Sequence, residues 1–162
     1  MSSNRLSRIV AKIHQLPAAL HSPALSLLFG SQVKFAGTAK VRVNELSEQR
    51  AVMSLANRRK VQNHIQGVHA AAMALLAESA TGFLVGMNVP DDKLPLIKSL
   101  KVDYLKRAVG GLRAEASLTP EQIQAIHSQD KGEVLVAVQV TDESGNQPIQ
   151  CEMLWAWVSK KR

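Results

Sequence analysis

The feature that most restricts the fold of this 162-residue chain is an alanine-rich apolar segment near its middle. From Val68 to Val85 the residues favour a helix that is apolar nearly all round, so this helix must be buried. Between Gly67 and Val89 one residue carries a formal charge, Glu78. A buried carboxylate is costly unless it is paired, hydrogen-bonded or protonated. Glu78 therefore either meets solvent or a lysine, or serves as a base or nucleophile whose pKa is set by burial.

Apolar and polar residues alternate in much of the remaining chain, which is typical of half-buried strands. Six strands are predicted, at 33–44, 51–55, 96–105, 112–118, 134–140 and 149–157. Val109–Gly111 predicts a tight turn between the third and fourth, and Asp142–Asn146 joins the last two in a hairpin. An antiparallel sheet of about six strands wrapped around one long central helix, an α+β fold, accounts for both patterns.

Shorter helices complete the prediction. Leu6 to Leu16 forms an amphipathic helix that ends at Pro17, and Pro23 opens a second helix that runs through Leu28 and stops at Gly30. Thr119–Gln122 is a capping box that begins a short helix. We expect one domain over residues 1–162, in which residues 1–32 form an N-terminal helical extension.

Charge and composition limit the class of partner. The net charge is +7, from 20 Lys and Arg against 13 Asp and Glu, and the excess lies in the first 70 residues. A phosphate-bearing partner fits this charge, but six aromatic residues and no recognition motif argue against nucleic acid. No membrane helix is predicted, because the longest uncharged stretch, Gln15 to Val33, is interrupted by prolines. A single cysteine, Cys151, is expected to be a small buried apolar residue, and the expected location is the cytoplasm.

Polar residues cluster just before the central helix. Asn63, Gly67 and His69 precede the helix start, where free backbone N–H groups can hold an oxyanion or polarise a carbonyl. For His69 taken alone, a capping or supporting role is favoured over a catalytic one. No spacing of Cys, His and Asp predicts a metal site.

The spacing of His69 and Glu78 predicts a symmetric dimer. The two residues are nine positions apart, which places them on opposite sides of a helix that turns by about 100° per residue. One chain can hardly direct both at one substrate. Two antiparallel helices related by a two-fold axis can, so we expect composite sites in a homodimer, with a tetramer as a further possibility.

The order of elements and the pattern Asn63-x5-His69-x8-Glu78 resemble the hotdog-fold acyl-CoA thioesterase superfamily, closest to the phenylacetate-pathway type and related bacterial proteins. The segment from Val102 to Gly110 is similar to the family's third strand and the turn after it. The resemblance spans roughly residues 33–160. Two positions depart from the family pattern: Ala70–Ala71 replaces a glycine pair, and Arg107 replaces a proline.

The resemblance implies hydrolysis of an acyl thioester of coenzyme A or a carrier protein, with no metal or organic cofactor. N–H groups at the helix start, chiefly that of Ala70, would polarise the carbonyl, and Asn63 would position substrate or water. Glu78 of the other subunit would act as general base or nucleophile. Gly67 and five basic residues are the candidates to bind coenzyme A and its phosphates: Arg58, Arg59, Lys60, Lys106 and Arg107.

Two other functions stay open. A non-catalytic acyl-CoA-binding or sensing module is favoured by Ala70–Ala71, because the added methyl groups narrow the approach to the helix backbone. A hydratase or dehydratase of the same fold would use a histidine with an acidic partner, but the proline-rich segment that follows the histidine in those enzymes is missing here.

Overall fold

A computed structural model describes residues 4–160 as five helices and six strands. The helices are α1 (Arg5–Ile13), α2 (His21–Gln32), α3 (Lys34–Ala39), α4 (Ala70–Asn88) and α5 (Pro120–Ser128). The strands are β1 (Arg42–Leu46), β2 (Arg50–Leu55), β3 (Lys93–Tyr104), β4 (Leu112–Ser117), β5 (Gly132–Asp142) and β6 (Ile149–Ser159). All strand pairs are antiparallel, in the order β1-β2-β4-β5-β6-β3. The predicted fold class is confirmed.

The helix α4 is the buried element that the apolar segment predicts. Leu76, Ala80 and Leu84 are fully buried, and the helix contacts β2, β3, β4, β5 and β6. Gly82 allows the closest approach, since a Cβ there would lie 2.6 Å from the Trp155 ring. By length and composition α4 could cross a membrane. However, 67% of its most apolar 18-residue stretch is buried inside the protein, as in a core helix.

Two local signals in the second half of the chain, a capping box and a hairpin turn, predict the structure correctly. Thr119 and Gln122 form the reciprocal capping box at the start of α5. The strands β5 and β6 pair as a hairpin, and the Asp142 carboxylate holds the turn by accepting hydrogen bonds from the Ser144 and Asn146 N–H groups. These features depend on neighbours in sequence, which is why the sequence predicts them well.

The strand predicted at 33–44 is wrong over most of its length. Residues Lys34–Ala39 form α3, and only β1 is extended. The alternation that predicts this strand places Phe35 on its apolar face, yet Phe35 is 65% exposed, whereas Ala36 is buried. Gly37 packs directly on Gly30, where a Cβ would lie 2.6 Å from the Gly30 carbonyl oxygen. Gly30 therefore does not end α2 but serves as a contact point for α3, and the helical extension reaches Ala39 rather than residue 32.

The glycine-rich turn at Val109–Gly111 does not join neighbouring strands. Gly110 has φ of 68°, as a turn requires, but β3 pairs with β6 at the sheet edge while β4 lies between β2 and β5. The segment between them carries the chain across the sheet. A local turn signal says nothing about strand order, which is fixed by pairings distant in sequence.

Candidate active site

The loop before α4 is held by its own polar groups. The Asn63 side-chain oxygen accepts hydrogen bonds from the N–H groups of Ile65 (3.0 Å) and Gly67 (3.1 Å). The Asn63 N–H donates to the Gly67 carbonyl at 2.9 Å, and the His69 N–H donates to the Val61 carbonyl at 2.8 Å. Asn63 thus organises the loop through its oxygen, and its amide nitrogen makes no hydrogen bond within residues 4–160.

His69 is the N-cap of α4. Its Nδ1 accepts a hydrogen bond from the Ala71 N–H at 3.0 Å, which satisfies one of the free donors of the first turn. Accepting at Nδ1 places the proton of the neutral ring on Nε2. The exposed His69 ring therefore offers an Nε2–H donor beside the helix start.

Ala70 presents a free donor on an anchored peptide. Among residues 4–160, no group accepts a hydrogen bond from the Ala70 N–H. The Ala70 carbonyl accepts from the Tyr104 hydroxyl at 2.8 Å. Tyr104, at the end of β3, thus fixes the first turn of α4. The sequence does not single out Tyr104 as a site residue, although it lies in the segment that carries the resemblance.

Glu78 is half-buried and unpaired. Over residues 4–160, no ion pair and no hydrogen bond joins its carboxylate to another residue. Burial raises the pKa of Glu78 above its ordinary value of 4.5. The neighbouring residue Ser79 is 2% exposed, and its hydroxyl also has no hydrogen-bond partner in the described part of the chain. Pairing of Glu78 with a lysine, one of the two interpretations above, does not occur within this chain.

His69 and Glu78 face different cavities. His69 lines a cavity of about 230 Å³ together with Lys60, Ala72 and Leu75. Glu78 lines another of about 220 Å³. The separation along α4 is about 13 Å, at 1.5 Å per residue. The structure therefore does not bring the helix start and Glu78 together within one chain.

The five basic candidates are free of ion pairs within the described residues but differ in position. Arg107 donates to the Ile65 carbonyl at 3.1 Å, beside the loop before α4, and Lys60 lines the His69 cavity. Arg58 donates to the Ala39 carbonyl, and Arg59 is exposed in the same short turn as Lys60. Lys106 reaches the Asn146 side chain at 3.4 Å. The structure groups Lys60 and Arg107 near the helix start.

Two further side-chain groups are relevant to chemistry. Burial raises the pKa of the Cys151 thiol to about 11, and the Asp103 carboxylate adds to this shift, so the thiol is protonated at neutral pH and is a poor nucleophile. No group of three or more His, Cys, Asp or Glu side chains in residues 4–160 is arranged to hold a metal ion.

An antiparallel six-stranded sheet around one central helix defines the hotdog fold, and solved structures of this class match the chain closely. A probable thioesterase from Pseudomonas aeruginosa, PA5026, is 24% identical with a TM-score of 0.75, over 90% of this chain and 97% of that one. A putative thioesterase from Shewanella oneidensis is 13% identical with a TM-score of 0.71, and the match covers 84% of this chain and 96% of that one. The thioesterase HI1161 from Haemophilus influenzae is 9% identical with a TM-score of 0.62, and the match covers 77% of this chain and 82% of that one.

The family model that matches is a domain of unknown function, DUF4442, over residues 22–158. The chain belongs to this family, and it shares the hotdog-like fold of these three thioesterases. No curated protein matches the chain significantly. The predicted resemblance and fold are confirmed.

Proposed function

We propose that this protein hydrolyses acyl-CoA thioesters at two sites, each shared between two subunits of a homodimer. The observation that carries the proposal is Glu78, a half-buried, unpaired carboxylate on the same helix whose first N–H group, that of Ala70, is also unpaired. A carboxylate half-buried in a core helix is costly to leave unpaired, so Glu78 requires a reason. The first N–H of a helix has no intrahelical partner, so that of Ala70 is free to donate. Both groups are therefore available to a bound molecule.

The chemistry of the two groups is complementary. The Ala70 N–H, at the positive end of the helix dipole, polarises the thioester carbonyl and stabilises the oxyanion formed during attack. Glu78 either removes a proton from an attacking water or attacks the carbonyl carbon itself. As a base, Glu78 takes a proton from water while the water oxygen bonds to the carbonyl carbon; the carbon–sulfur bond then breaks and this proton passes to the leaving thiolate. As a nucleophile, a Glu78 oxygen bonds to the carbonyl carbon and the thiolate leaves; water then cleaves the resulting anhydride, which releases the acid, restores the carboxylate and supplies the proton for the thiolate. A pKa raised by burial makes the Glu78 carboxylate a better base.

The basic residues near the helix start fit the phosphates of coenzyme A. Lys60 and Arg107 flank the loop before α4 without carboxylate partners in the described residues. Phosphate groups favour such unpaired cations, and Arg107 adds a planar donor set where the family pattern has proline. Arg58, Arg59 and Lys106 extend the positive surface on either side.

The sheet edge supports a dimer. In residues 4–160, β3 pairs with β6 on one side and with no strand on the other. Ile97 and Leu100 lie opposite Trp155 and Met153, on the inner face of the sheet, yet remain 38% and 46% exposed. An unpaired edge with exposed inner-face apolar residues is suited to a second copy of the chain, whose α4 would run beside this one.

The double variant Ile97→Lys/Leu100→Lys should convert the dimer to a monomer and reduce hydrolysis with it, because charges would replace the apolar contacts at the shared edge. Light scattering checks the mass, with the native protein expected at twice the chain mass of 17.6 kDa. Leu135→Lys is the matched control, since Leu135 is 52% exposed on the interior strand β5. A native protein that is monomeric and active would exclude shared sites.

Release of free thiol from a panel of acyl-CoA thioesters tests the function directly. Turnover that requires Glu78 supports the thioesterase. Tight binding without turnover would favour the sensing module, which the Ala70–Ala71 departure makes the second candidate. Hydration of an unsaturated acyl-CoA without thiol release would assign the hydratase function.

A further inference from the structure

The N-terminal helices form part of the cavity beside Glu78. Leu6 of α1, Phe29 and Gln32 of α2, and Val33 line one side of it. The core supplies the opposite side through Glu78, Ser79, Gly82, Phe83, Gly86, Pro95 and Trp155. Most of these side chains are apolar, and Phe29 and Phe83 contact each other with ring centroids 4.7 Å apart. The cavity therefore combines an apolar volume with one carboxylate.

Trp155 closes this cavity on the side of the sheet. Its ring lies against the Gly82 backbone, and its indole N–H donates to the Thr81 hydroxyl at 2.9 Å. The Thr81 hydroxyl in turn donates to helix carbonyls of α4, so the ring is fixed in place. A buried tryptophan held by a hydrogen bond does not move aside for a ligand without losing that bond.

The α1 wall is equally well anchored. The Asn4 side-chain amide donates to the carbonyls of Gly86 (2.7 Å) and Val89 (2.6 Å) at the end of α4. The Arg5 N–H donates to the Asp91 carboxylate at 2.9 Å, and Val10 is 1% exposed. Leu6 is thus held over the cavity, because residues before and after it in the sequence are anchored to the core. This wall restricts the size of a ligand rather than admitting any length.

We infer that this cavity binds the acyl group of the thioester and selects compact acyl groups, with Leu6, Gly86 and Trp155 as specificity-determining residues. The inference rests on the proposed hydrolysis and adds the substrate class. A volume of about 220 Å³ holds on the order of seven non-hydrogen atoms at roughly 30 Å³ each. Acyl groups of about six to eight carbons, or one aromatic ring, fill it. Longer fatty acyl chains exceed it.

Two substitutions should move this preference in opposite directions. Leu6→Ala removes side-chain volume from the α1 wall, so the preferred acyl chain should become longer. Gly86→Ala adds a methyl group that would lie 3.6 Å from the nearest Leu6 atom, an ordinary contact, so the preferred chain should become shorter. Gly86→Ala also replaces a glycine inside a helix, which favours folding. Leu27→Ala, in which the replaced side chain is 76% exposed and outside this cavity, is the control.

The experiment measures kcat/KM for acetyl-, butanoyl-, hexanoyl-, octanoyl-, dodecanoyl-, hexadecanoyl- and benzoyl-CoA with all four proteins, and thermal melts confirm folding. Each acyl methylene group that becomes buried in the cavity, or is excluded from it, should change kcat/KM by about fourfold. The native protein should favour hexanoyl-, octanoyl- or benzoyl-CoA. Hydrolysis with the same chain-length profile in all four proteins, or best with hexadecanoyl-CoA in the native protein, would overturn the acyl assignment alone. Absence of thiol release from every thioester would instead overturn the proposed function.

Discussion

Replacing Glu78 by Gln should abolish thioester hydrolysis while leaving the fold at least as stable as that of the native protein at pH 7. The amide keeps the size of the side chain but cannot take up a proton from water or act as a carboxylate nucleophile. Loss of a general base or nucleophile lowers kcat by about 10²–10⁴-fold or more. Thiol release from hexanoyl-CoA, measured beside native protein and an Asp130→Asn control, checks this result.

The stability of Glu78→Gln follows from the direction of the pKa shift. Burial raises the pKa of Glu78 in the folded protein above the value of 4.5 expected when unfolded. The unfolded chain therefore loses this proton at lower pH than the folded protein does. The contribution of Glu78 to the free energy of unfolding therefore falls as pH rises from the pKa of this carboxyl in the unfolded chain to its pKa in the folded protein. Above that range the ionised carboxylate destabilises the fold. Thermal melts should show Glu78→Gln more stable than native protein at pH 7, with the difference shrinking toward pH 4.

The same shift predicts the pH dependence of the native activity. If Glu78 acts as a base or nucleophile, the acid limb of kcat/KM should have its midpoint above 4.5, since the folded carboxylate must first lose its proton. A variant Glu78→Gln that hydrolyses as fast as native protein would show that this carboxylate has no catalytic role. A variant that melts at a much lower temperature at pH 7 would show that Glu78 is a structural residue.

The parts of the fold that the sequence predicts are those in which local pattern and burial agree. The helix α4 is apolar all round and buried over most of its surface, and its single charge stands out in the sequence itself. The Thr119 cap and the β5–β6 hairpin depend on residues a few positions apart. For the candidate site, the same logic singles out Glu78, because a charge departs from the expected composition of a core helix, and its catalytic role stays a prediction.

The wrong predictions arise where a sequence pattern is compatible with both a strand and a helix. The alternation from Val33 to Asn44 fits a strand, but residues 34–39 form a helix because Gly30 and Gly37 allow α2 and α3 to touch backbone to backbone. That contact joins two elements, and no periodicity within either one reveals it. The position of Leu6 and Phe29 beside Glu78 cannot be predicted for the same reason, since it depends on where α1 and α2 pack rather than on their own sequences.

Ala70→Pro should eliminate hydrolysis without unfolding the protein. Ala70 is the first residue of α4, a position that favours proline because its N–H needs no helical partner. The preceding residue, His69, has φ of −63° and ψ of 143°, a conformation that a following proline also favours. The substitution thus removes one donor and little else. Loss of one oxyanion donor lowers kcat by about 10²–10³-fold. Ala70→Gly, which keeps the N–H, is the matched control for thiol release and thermal melting.

A mixture of two inactive variants then tests whether the sites are shared. Ala70→Pro retains Glu78, and Glu78→Gln retains the Ala70 N–H, so neither homodimer has a complete site. If each site takes its helix start from one subunit and its carboxylate from the other, a heterodimer of the two variants has one complete site and one doubly deficient site. Random re-association of equal amounts should restore about 25% of native activity. If both groups act within one subunit, no subunit in the mixture is complete, and hydrolysis should stay at the level of the separate variants.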